Sequence, residues 1–177
     1  DVLELVHDSW QKIGVKLLIK PSHRNVIRRR IYSGDTVMSL FSGLENGLPT
    51  VTSSPAELAP TRQTQYQWPL WGQYRETNGQ AGVAPDMPAA KKLLSLLQEW
   101  RKSTTLEKRE QVWHQMLEIH ASQVFTIGLI SGTLQPVVVS NKLQNVPIKG
   151  IYNWDPGSHF GIYEPDTFWL IPKSKKK

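Results

Sequence analysis

The first 41 residues switch repeatedly between helical and strand periodicity, and this alternation constrains the fold more than any other feature. Leu3, Val6, Trp10 and Ile13 recur at three- and four-residue spacing, which places one apolar face on a helix. Gly14 follows as a stop signal. Residues 15–19 form a β-rich run, Val-Lys-Leu-Leu-Ile, closed by Pro21. Ser22 is placed to cap a second helix bearing Val26, Ile27 and Ile31, which ends near Gly34. Residues 36–41 read as a second strand. A helix between two strands predicts a right-handed crossover joining a parallel pair, so the expected class is α/β. Arg28, Arg29 and Arg30 then fall on and around the outer side of the crossover helix, as solvated charge.

Residues 42–87 break this pattern. They hold Pro49, Pro55, Pro60, Pro69 and Pro85 with five glycines and weak periodicity, which predicts a long irregular segment. Within it, Tyr66, Trp68, Trp71 and Tyr74 place four aromatic rings in nine residues. Rings on a loop-like stretch serve either a ligand or the packing of the loop itself, because Trp and Tyr bury area while keeping a polar handle.

Two helices follow. Pro88 suits a first helical turn, and Leu93, Leu96, Leu97 and Trp100 form the stripe behind it. Thr104 and Glu107 have capping-box spacing for the next helix, which carries Val112, Trp113, Met116, Leu117 and His120. Their short link predicts an antiparallel hairpin. Strand-like runs are expected over 124–130 and 134–140, parted by Ser131, Gly132 and Thr133. Residues 151–170 are rich in aromatic side chains.

Charge and composition exclude more than they assign. The net charge of +6 is largely a tail: Lys173, Lys175, Lys176 and Lys177 set aside, +2 remains. The tail reads as solvated charge, and no nucleic-acid partner is expected, a binder built on the basic tail and the aromatic residues being a third reading. Cysteine is absent, which removes a disulfide framework, a thiolate metal site and a thiol nucleophile. The five histidines, His7, His23, His114, His120 and His159, form no metal-ligand spacing. The Gly-Leu-Ile-Ser-Gly string at 128–132 misses a nucleophile elbow by one position. No phosphate loop is present, and Asp155-Pro156 and Pro165-Asp166 read as turns. No cofactor, no metal and no enzymatic site is expected. A hydrolase with an unrecognised site stands as the alternative of a different class.

Four stretches are similar to one family. These are Ile13-Gly14-Val15-Lys16-Leu17 with Tyr32-Ser33-Gly34-Asp35-Thr36-Val37; residues 41–49, Phe-Ser-Gly-Leu-Glu-Asn-Gly-Leu-Pro; residues 68–74, Trp-Pro-Leu-Trp-Gly-Gln-Tyr; and Asn145-Val146-Pro147 with residues 155–169. Across residues 1–171 the chain resembles the C-terminal part of bacterial periplasmic solute-binding proteins of the oligopeptide/dipeptide type, extracellular family 5, which serve ABC importers.

The resemblance implies a type II clamshell in which a solute is enclosed between two lobes. Residues 1–171 would supply most of the second lobe, a mixed sheet flanked by helices, with 42–87 facing the cleft and 172–177 a basic tail. The N-terminal lobe and a signal peptide are expected in a preceding part of the protein, with a periplasmic location. The implied partners are a small solute, a peptide by default, and the membrane permease. Oligosaccharide or opine binding by the same scaffold is the nearest alternative. In peptide-binding relatives an acidic residue four before a proline pairs with the peptide's amino group. Here that position is Glu45, before Pro49, where the family usually has Asp. Ser42, Gly43 and Asn46 share its loop, and Trp68, Trp71 and Tyr74 are expected on the wall of the site. A cleft of this kind performs no chemistry and needs only polar contacts, aromatic walls and closure.

Overall fold

The computed structural model describes residues 2–41, 53–130, 134, 136–150 and 164–171. Among these the regular structure is mainly helical, with one two-stranded antiparallel sheet, and the chain divides into two compact units.

The first unit comprises Asp1–Phe41, Pro60–Asp86 and Thr126–Ser131. Its helices are α1 (Val2–Gln11), α2 (Arg24–Tyr32) and α3 (Pro69–Glu76). α1 ends as expected: Gly14 takes φ +83, and Val15 N–H returns to the Trp10 carbonyl. A positive φ of this size suits glycine because it lacks Cβ. α2 is capped one residue later than expected, by His23, whose Nδ1 accepts from the Asn25 N–H. The extended conformation of His23 lets its ring reach back over the first turn, and it takes the capping position from Ser22.

The two strands expected on either side of α2 form no ladder among the described residues. Residues 15–19 and 37–41 run without regular structure, and most of their apolar side chains are exposed: Leu18 is 78% exposed and Val37 fully exposed. The parallel crossover is therefore not formed here. Strand propensity alone does not make a strand, because a ladder needs a neighbour for its N–H and C=O groups.

The segment expected to be irregular contains a helix. Pro69 occupies the first turn of α3, where its missing N–H costs nothing. The turn at Thr61–Gln65 supports it. Gln65 Oε1 accepts from the Thr61 N–H (2.9 Å), the Arg62 N–H (3.0 Å) and the Thr61 hydroxyl (3.2 Å), and the Gln63 N–H donates to Glu76 at 2.9 Å. Gly72 lies buried against the Arg62 backbone, with no room for a side chain.

The second unit comprises Ser42–Ala59, Met87–Phe125 and Gly132–Lys177. Its centre is the expected hairpin of α4 (Pro88–Lys102) and α5 (Leu106–Gln123). Leu93, Leu96, Leu97 and Trp100 from α4 meet Val112, Trp113 and Met116 from α5, all buried. Leu117, expected on the same stripe, is exposed. The cap of α5 is Thr105, which accepts from the Lys108 N–H at 3.3 Å. That is one residue after the expected Thr104. A short 3-10 turn, Pro55–Leu58, packs on both helices. Trp113 Nε1 donates to the Ser53 carbonyl at 3.2 Å and closes the same contact.

The runs 125–130 and 136–140 are not strands. The sheet forms instead from β1 (Leu143–Gln144) and β2 (Trp169–Leu170), with Leu143 opposite Leu170 and Gln144 opposite Trp169. Asn145, in the left-handed region, fixes its end by donating from Nδ2 to the Thr167 hydroxyl at 2.9 Å.

Candidate functional site

Of the seven residues expected at a ligand, Ser42, Gly43, Glu45 and Asn46 lie outside the described residues. So do residues 155–163 of the fourth similar stretch and the basic tail. Trp68, Trp71 and Tyr74 are described, and all three belong to α3 or its cap.

The structure brings the two indoles together. Their ring centroids are 5.9 Å apart with planes at 24°, an offset stack, and both side chains are half-buried. The cause is local. Trp68 is the N-cap of α3 in the left-handed conformation (φ 68, ψ 47), which turns its ring back over the first helical turn, where Trp71 stands. A bulky residue rarely takes this conformation, and doing so stores roughly 1 kcal/mol of backbone strain. Tyr74 is used differently. Its ring lies over the turn after α3, where a methyl group on Gly79 would stand 3.3 Å from the ring. Tyr74 therefore holds that turn.

A second aromatic group involves residues not expected at a site. Tyr66 receives the Arg28 Nε–H on its hydroxyl at 3.2 Å. Its ring meets Phe41 at 4.3 Å between centroids, tilted by 41°, and meets Tyr32 edge-on at 6.1 Å. Arg28 and Tyr32 sit four apart on α2 and so share a face. The hydrogen bond to Tyr66 pushes the Arg28 guanidinium above its ordinary value. Arg28 is thus half-buried and bonded, not the solvated charge expected of it, whereas Arg29 and Arg30 are exposed. The i to i+4 spacing of Arg28 and Tyr32 was the available signal, but nothing local linked it to Tyr66, which lies 38 positions beyond Arg28.

Along the solvent face of α5 runs a shallow depression of about 480 Å³, lined by Glu107, Glu110, Gln111, His114, Gln115 and Glu118. It is the polar stripe of one helix and encloses nothing. No group of three His, Cys, Asp or Glu among the described residues is arranged to hold a metal ion. No described helix is long and apolar enough to cross a membrane.

No protein-family model matches the chain, and no curated protein matches it.

Proposed function

We propose that this chain carries most of one lobe of a solute-binding protein, which captures a peptide or similar small solute and delivers it to a membrane permease. The reading rests on the four similar stretches described above. The structural observation that supports it is the state of the apolar runs beside α2. Residues 15–19 and 37–41 have strand composition, and Val15, Leu18, Ile19, Val37, Met38, Leu40 and Phe41 are all exposed. Isolated water-facing β-rich runs are unstable as a final arrangement, and the sheet of a larger lobe would cover them.

In this reading Glu45 meets the ligand's amino group, Ser42, Gly43 and Asn46 offer polar contacts, and the rings of α3 form a wall. The stacked pair of Trp68 and Trp71 also favours a second cargo, an oligosaccharide, because the apolar face of a pyranose ring packs on indole.

Mass spectrometry of the solute that copurifies with the full-length protein tests the reading. Recovery of peptides supports it, recovery of sugars selects the second cargo, and a full-length protein that carries and binds neither refutes both. For a peptide, Glu45→Ala should weaken binding by about 1–3 kcal/mol, the cost of stranding a buried ammonium.

A further inference from the structure

We propose that the outer face of α2 is a docking surface for an anionic lipid membrane, with Arg29 and Arg30 taking lipid phosphates on either side of Val26. The inference goes beyond solute capture and needs neither a cargo nor a permease.

The small net charge of the body conceals a local asymmetry. From Ser9 to Gly34 there is no Asp or Glu. The same stretch carries Lys12, Lys16, Lys20, Arg24, Arg29 and Arg30, all exposed, besides the half-buried Arg28. None of the six exposed cations pairs with a carboxylate among the described residues. The next acid along the chain, Asp35, already accepts the Ser33 hydroxyl at 2.6 Å. An ordinary solvated surface intersperses both signs, whereas cations without acids among them set up a field that draws in a polyanion.

α2 decides which polyanion. One side of the helix is used within the first unit: Ile31 is buried, and Arg28 donates to Tyr66. Val26 lies on the other side and is 41% exposed, with Arg29 and Arg30 three and four positions on and therefore beside it. An aliphatic tip between two cations is the layout of a helix that rests in a membrane interface. The apolar group enters the acyl boundary, and the long guanidinium stems reach up to the phosphates. A single-stranded nucleic acid would call for exposed rings on which bases stack, and a duplex would gain nothing from Val26. The one ring on α2, Tyr32, is half-buried and set edge-on against Tyr66. Arg29 and Arg30 also stand in the last turn of α2, where the helix dipole favours positive charge. That benefit accounts for cations at the helix end, but not for the exposed Val26 between them or the acid-free stretch before it.

The test is sedimentation of the full-length protein with vesicles of phosphatidylcholine, with and without phosphatidylglycerol, in low and high salt. The anionic vesicles should bind more tightly by about tenfold or more, and high salt should close the gap to within about twofold. Arg29→Gln with Arg30→Gln should cost about tenfold on anionic vesicles, whereas Arg29→Lys with Arg30→Lys should stay within about threefold. Val26→Ser should weaken the same binding about threefold. Replacing Lys173, Lys175, Lys176 and Lys177 by Gln should cost less than the Gln pair on α2. The three α2 positions are exposed, so melting temperatures should be unchanged. Should the arginine double variant melt early, Val26→Ser decides. Equal binding to both vesicles overturns the assignment, as does binding that follows the tail lysines and ignores Arg29 and Arg30. A duplex oligonucleotide bound as tightly as the anionic vesicles, with Val26→Ser without effect on either, also overturns it and makes the surface a nucleic-acid interface.

Discussion

His120 Nε2 lies 2.8 Å from the carbonyl oxygen of Leu58, a residue 62 positions earlier in the chain. A carbonyl only accepts, so Nε2 carries the proton and the ring donates. The bond ties the 3-10 turn at Pro55–Leu58 to α5, beside the bond from Trp113 to Ser53. His120→Leu keeps the apolar bulk but strands the Leu58 carbonyl. It should lower stability by about 1–2 kcal/mol, read as a lower urea midpoint. An unchanged midpoint would mean that water replaces the imidazole at no cost.

Gly72 presses on the Arg62 backbone, and a Cβ there would overlap the Arg62 carbonyl group. Backbone cannot move aside as a flexible side chain can. Gly72→Ala should therefore cost about 2–3 kcal/mol. Gly128 has nothing within 4 Å, so Gly128→Ala should change stability by less than about 0.5 kcal/mol. Thermal melts of the two variants side by side test the contrast, and equal melting temperatures would contradict it.

Trp68 offers a test of backbone strain. Both Trp68→Gly and Trp68→Ala lose the stack on Trp71, but only glycine takes φ 68 without penalty. The glycine variant should be the more stable by about 1 kcal/mol, reversing the usual order of the two residues. An alanine variant that is equally stable would show that the cap relaxes out of the left-handed region once the ring is gone.

Glu99 and Lys108 pair across the hairpin at 2.6 Å. The hydrogen bond from Lys108, and then its charge, hold the Glu99 carboxyl below the usual carboxylate range. The unfolded chain binds that proton more readily, so the pair adds stability above the ordinary carboxylate range and loses it as pH falls through the lowered value. Both side chains are largely in solvent, which keeps the effect small and salt-sensitive. Comparing urea midpoints of the parent and Glu99→Gln, the gap should be present near neutrality and close in acid. A gap that persists in acid would assign the effect to packing.

Val37 is fully exposed and Val138 is 97% exposed, each within a β-rich apolar run. Uncovered runs of this kind pair with one another between molecules. The 177-residue chain should therefore associate with rising concentration, and Val37→Lys with Val138→Lys should suppress this without lowering the melting temperature. Light scattering across a dilution series reads the outcome, and a monodisperse parent chain would count against it.

The helices were legible because their signals are local. The stripe Leu93, Leu96, Leu97 and Trp100 meets α5 through Val112, Trp113 and Met116, and each spacing follows from 3.6 residues per turn. The caps were legible only to within one residue: Ser22 gave way to His23 and Thr104 to Thr105, because neighbouring polar residues compete for the same N–H groups. Helix α3 was missed because its eight residues carry too short an apolar stripe beside so many prolines and glycines. Its support comes from Gln65, Glu76 and the flat surface of Gly72.

The candidate site divides along the same line. Composition and spacing alone settled the lack of thiol chemistry and the two-helix core, since both depend on residue identity and local periodicity. Tertiary structure decided that Trp68 stacks on Trp71 while Tyr74 turns to Gly79. It also decided that Arg28, read as a surface charge, fixes Tyr66 against Phe41. It left the runs at 15–19 and 38–41 without a ladder as well. A strand's propensity is written in its own residues, but its hydrogen bonds belong to a neighbour, and sequence does not say where that neighbour lies.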